Sequence, residues 1–160
     1  MNDVAESLRA ILAVVLEEEQ GLLRLNALAL AEQRALVSSD YDAIETVSNE
    51  MHVVADQIDA LEGRRLVMMD AIGPPETTLG QVLPLADEHG VDGLREASLR
   101  MKLLAEQLRE AQESNARLLL SAVKLRERWV NPVAGMQAST YGAEGKQQIR
   151  QSRGIVSRSA

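Results

Sequence analysis

Between Ile44 and Ile72 the apolar residues Ile44, Val47, Met51, Val54, Ile58, Leu61, Met68 and Ile72 fall at alternating spacings of three and four, with Arg65 the one polar residue in that register. Such a stripe is a coiled-coil seam, and over about four heptads it runs roughly 42 Å at 1.5 Å per residue. A compact globule of 160 residues could hardly bury it in one helix. The fold that accommodates it is all-α: an elongated antiparallel helical bundle of long, coiled-coil-like helices with a flexible C-terminal tail. The work of such a chain is done by surfaces.

Composition agrees. There is no Phe, one Trp and two Tyr among 46 % hydrophobic residues, so the core is left to Leu, Ile, Val, Met and Ala. Those side chains suit helix packing better than sheets, which favour aromatic and β-branched residues. The length predicts one domain, and a mean hydropathy of −0.13 predicts a soluble one. With no cysteine, disulfides and thiolate metal sites are excluded, which fits a reducing compartment.

The first helix is predicted from about Asp3 to Val37, with Val4, Leu8, Ile11, Val15, Leu22 and Leu25 at heptad spacing. Glu18 interrupts this stripe, and the run Glu17-Glu18-Glu19 reads as a solvated face. Ser38-Ser39-Asp40 then predicts a tight turn, with Asp40 or a neighbour capping the free amides of a second helix over residues 41–72. So short a turn makes the two helices an antiparallel hairpin. Gly73-Pro74-Pro75 stops the second helix, because Gly tolerates left-handed geometry and Pro has no amide to donate.

Residues 73–93 form an irregular segment in which Thr77 or Thr78 is placed to cap a short helix through Leu79, Val82 and Leu83. The third long helix, about 94–130, carries Ala97, Met101, Leu104, Leu108, Ala111, Asn115, Leu118, Ala122, Leu125 and Trp129 in the same alternation. It spans roughly 48 Å, which matches the second helix, and Asn131-Pro132 is expected to end it. The bundle domain is therefore residues 1–130. Residues 131–160 read as a disordered basic tail, too poor in apolar surface to fold alone.

Charge divides the chain in the same place. Residues 124–160 hold seven Lys/Arg against Glu127 and Glu144, a balance of +5, which leaves −12 on the rest of a chain whose net charge is −7. An acidic body repels phosphates, so no nucleic-acid partner is expected. The start of the chain lacks a basic region, and the longest apolar run, Ala10 to Leu16, is too short to span a bilayer. These features predict a cytoplasmic location without stable membrane insertion.

Catalytic signals are missing. His52 and His89 are the only histidines, and a di-iron bundle would need paired Glu-x-x-His motifs. No Gly-rich phosphate loop, nucleophile elbow or zinc motif occurs either, so the chain is expected to be no enzyme and to carry no metal or cofactor. Asn115 at a seam position predicts a buried amide that fixes helix register, and Arg65 predicts a charged head reaching past the end of the bundle.

The sharper signal lies between Leu118 and Trp129. Leu118, Ala122, Leu125 and Trp129 project within roughly 60° of one another, which suffices for a bundle face, whereas Leu119, Leu120 and Val123 fall about 100° to 200° away from Leu118. The apolar arc there approaches two-thirds of the helix. One bundle face cannot cover both sides. The surplus is either buried by a fourth element or self-association, or free for another protein's amphipathic helix. In the tail, Tyr141 stands among small residues, the composition of a short docking peptide in which one ring supplies a hot spot.

Three stretches together resemble the FlgN-type flagellar export chaperone family. They are Leu61-Glu62 with Arg65, Met68-Met69 and Ile72-Gly73 at the end of the second helix, Asn115-Ala116-Arg117-Leu118-Leu119 late in the third long helix, and Thr140-Tyr141-Gly142-Ala143-Glu144-Gly145 in the tail. The tail departs from the family pattern in having Ala143 where Pro is common and in running on through a basic stretch to Arg158. The resemblance implies a cytoplasmic chaperone for the hook-filament junction proteins, FlgK-like or FlgL-like, which prevents premature assembly and delivers them to the type III export gate. It implies a client site at Leu118, Leu119, Leu120, Val123, Leu125 and Trp129, and docking on the gate protein FlhA through Tyr141 and Gly142.

Two other classes compete. One is a structural coiled-coil adaptor that homodimerises through the surplus face and has no export role. The other is a membrane-surface protein using Trp129, Lys124, Arg126, Arg128 and the basic tail on anionic lipid, which the acidic body opposes.

Overall fold

The computed structural model describes residues 3–134, with the side chains of Arg126 and of residues 129–134 outside that description. Four helices follow one another: α1 (Asp3–Ser38), α2 (Tyr41–Ile72), α3 (Leu79–Glu88) and α4 (Leu94–Ala134). Among the described residues there is no strand, and the fold is the expected all-α bundle.

Local chemistry sets the boundaries. Ser39 takes a positive φ of 54° to turn the chain, and the Asp40 carboxylate then accepts from the Ala43 amide at 3.1 Å as the N-cap of α2. α2 stops at Gly73, whose amide donates back to the Met69 carbonyl. The reason differs from the expected one. Gly73 is extended, not left-handed, and glycine is required because a Cβ would come within 2.6 Å of the Thr77 hydroxyl oxygen. The segment predicted as irregular contains α3, opened by a capping box in which Thr78 and Gln81 satisfy each other's backbone amides.

The other differences concern α4. It continues past the predicted stop at Asn131-Pro132 to Ala134, since proline's fixed φ is compatible with a helix even though its missing N–H forfeits one bond. At 41 residues against 32 it also outruns α2 instead of matching it.

α1 packs along both α2 and α4. α2 returns antiparallel to α1: Arg65 meets Glu18 near one end, and Arg24 meets Glu50 nearer the turn. At Gly21 the two helices approach so closely that a Cβ would lie 2.6 Å from Ile58 Cγ1. The core runs through Leu8, Ile11, Val15, Leu22 and Leu25 of α1, with Ile58, Met69, Leu94, Ala97, Met101 and Leu108 from the partners. α3 adds Leu79, Val82 and Ala86 at the end where α1 begins.

Two sequence expectations about charge are overturned. Arg65 does not reach past the bundle: it is buried, and its Nε donates to Glu18 Oε2 at 2.7 Å, with both side chains at most 3 % exposed. The Glu17–Glu19 run is not a solvated face either. Only Glu17 is exposed, while Glu18 serves Arg65 and Glu19 accepts from Arg100 at 2.6 and 3.1 Å. Each acid is buried because a cation from another helix meets it.

Candidate functional site

The direction of α4 follows from three polar ties. Glu19 binds Arg100, the Asn26 amide donates to the Leu104 carbonyl at 3.0 Å, and the Asn115 amide donates to the Ala29 carbonyl and to Glu32 Oε1, both at 2.9 Å. Positions rise together on both helices, so α4 runs parallel to α1. The seam asparagine therefore does hold register, as its position predicted.

The tied residues are 78 to 86 positions apart in sequence. Carried to Ser38, where α1 stops, that offset reaches roughly residue 120 of α4, and the remaining turns to Ala134 extend about 21 Å further. α3 cannot cover this end, because it follows α2 at the opposite end of the bundle. The last turns of α4 form an overhang.

Exposure follows the overhang. Asn115 is buried and Leu118 half-buried, but Leu119 is 51 %, Leu120 58 %, Val123 45 % and Leu125 57 % exposed. The predicted surplus face is thus uncovered by any described part of the chain. So is the face expected to pack in the bundle, since Ala122 and Leu125 are exposed as well. They carry seam spacing, but α1 has already ended beside them. Trp129 lies on the helix with its side chain outside the described part, and Tyr141 and Gly142 fall outside the described residues.

Charge frames the overhang. Arg117, Lys124 and Arg128 are exposed there with Glu127, so its margin is basic while the body is acidic. An apolar helix surface with charged margins can take an amphipathic helix, whose apolar stripe it removes from water. Exposed apolar clusters of this kind are uncommon on monomers and mark interaction sites.

Other apolar residues lie open that the sequence reading passed over. On α1, Leu16, Leu23, Leu30 and Val37 are exposed at steps of seven, and on α4 so are Leu99 and Leu103. The seven-residue spacing was the available signal, eclipsed by the core stripe on the same helix.

A helical body with a bare amphipathic helix end defines the class: an all-α bundle protein whose longest helix leaves an apolar surface uncovered. The family model for FlgN protein matches residues 1–149. The chain belongs to the FlgN family, a family of flagellar export chaperones. No curated protein and no solved structure matches it. Among the described residues no helix is long and apolar enough to cross a membrane.

Proposed function

We propose that this chain binds the amphipathic terminal segment of FlgK-like or FlgL-like hook-filament junction proteins in the cytoplasm, keeps it from assembling and delivers it to the export gate. The observation that carries the reading is the uncovered end of α4, where Leu119, Leu120, Val123 and Leu125 have no partner from the bundle. A client's polymerising segment carries an apolar stripe that self-associates, and seating it on this end shields both surfaces from water. No covalent step is involved; the chain acts as a binding protein and not as an enzyme. Delivery would run through Tyr141 and Gly142, taken up by the cytoplasmic domain of FlhA.

Leu119→Asp combined with Leu120→Asp abolishes client binding in calorimetric titration and leaves far-UV circular dichroism unchanged, because both side chains already face water. Retained binding would refute the client site. In the same assay Tyr141→Ala weakens binding to the FlhA cytoplasmic domain and preserves client binding; unchanged docking would refute the role of the tail.

A further inference from the structure

The Glu19–Arg100 pair brings α1 and α4 to one level, and it is flanked by leucines on both helices. At 100° per residue Leu16 and Leu23 lie roughly 40° to 60° from Glu19, on the side away from buried Glu18. Leu99 and Leu103 lie roughly 60° to 100° from Arg100, on the side away from buried Met101. Leu16 and Leu23 thus border the ion pair on α1, while Leu99 and Leu103 lie beyond it toward the outer side of α4; at 41 to 59 % exposure the four rim this side of the α1–α4 seam. Its α4 wall is acidic. Glu96 precedes Leu99 by three, and Glu106 and Glu110 follow Leu103 by three and seven, all exposed on the same helix face.

We propose that this seam is covered by the chain's own residues 146–158. That segment holds Lys146, Arg150, Arg153 and Arg158, no acid, and the apolar residues Ile149, Ile155 and Val156. Its cations complement the glutamate wall, and its β-branched residues complement the leucines. Reach permits the contact: fifteen residues from Ala134 to Ile149 span about 50 Å when extended. The return along α4 from Ala134 to Leu103 is about 47 Å. Tethering makes the encounter of this occupant with the seam independent of protein concentration, unlike that of a second copy or a foreign helix. Opposite charges then orient the encounter. The contact is separate from client binding at the end of α4.

The absence of cysteine allows a direct test in the full chain. Leu103→Cys with Ile155→Cys is compared with Val67→Cys and Ile155→Cys, because Val67 is exposed on α2 two residues from Arg65, which Glu18 places near the same level. Under mild oxidation of dilute protein, the first pair closes an intramolecular disulfide roughly tenfold faster than the second. That preference disappears in about 1 M salt, where the Debye length is near 3 Å, and in the Glu96→Gln, Glu106→Gln, Glu110→Gln background. Equal rates for the two pairs would overturn the proposal. A predominantly dimeric product from Leu103→Cys with Ile155→Cys would also overturn it, by assigning the seam to a second copy.

Discussion

Glu18 occupies a seam position of α1 where an apolar side chain would pack, and its carboxylate is buried against Arg65. Removal from water pushes its pKa above the ordinary 4.5, and the hydrogen bond and charge of Arg65 oppose that rise. A raised carboxyl pKa means that the folded state holds the proton more tightly than the unfolded chain does. The stability contributed by this group is therefore fully present below the ordinary value and is lost as pH climbs through the folded one. Arg65→Met removes the opposing cation and enlarges this loss, so the variant falls short of the parent by about 3–5 kcal/mol near neutral pH and by less in acid. Urea melts across the acid-to-neutral range measure it, and a pH-independent deficit would contradict it. Glu18→Leu combined with Arg65→Met restores or exceeds parental stability, because neither charge is then left buried alone. The pairing was illegible in the sequence for a simple reason: its partners are 47 residues apart, and a lone charge in a stripe looks the same whether it is solvated or paired.

Elements whose ends depend on nearby residues were the readable part of the fold. Asp40, Gly73 and Thr78 each act within a few positions of themselves and all three mark boundaries where expected, Asp40 and Thr78 as caps and Gly73 through the close approach of Thr77 instead of a left-handed turn. The overhang of α4 depends instead on register between helices, set by Arg100, Leu104 and Asn115 against α1 residues some eighty positions away. Periodicity showed that the apolar arc widens after Leu118; it could not show that α1 stops alongside. That stop has a dynamic consequence. A projecting stretch of about four turns is marginal without a packed face, since isolated helices this short are weakly stable in water. Amides of residues 121–128 therefore exchange with solvent at least about a hundredfold faster than those of 97–111, and a bound client helix protects them. Hydrogen exchange with mass spectrometric detection reads both states, and equal protection at the two ends of free α4 would show that the overhang is already covered.

For the whole molecule, stability and the candidate binding surface occupy different lengths of the same helix. α1 is the shared wall, buried against α2 on one side and α4 on the other, and the fully buried residues of α4 stop at Asn115. Beyond it, every side chain described from Leu119 onward is exposed, so those residues return little hydrophobic energy to the bundle. A chain stopping at Ser121 keeps its core and melts cooperatively within about 3 °C of the full protein, a shift that corresponds to a loss of no more than about 1 kcal/mol in a domain of this size. The same chain loses the client. A chain stopping at Gly73 behaves otherwise: Leu25, Ala29 and the α4-facing side of α1 meet water, and the remaining hairpin gives no cooperative melt and binds a hydrophobic dye. Calorimetric melts of the three lengths, paired with titration of a client terminal peptide, separate these roles. If stopping at Ser121 lowered the midpoint by ten degrees or more, the end of α4 would be part of the structural core, and the surface assigned to the client would be needed to hold the bundle together.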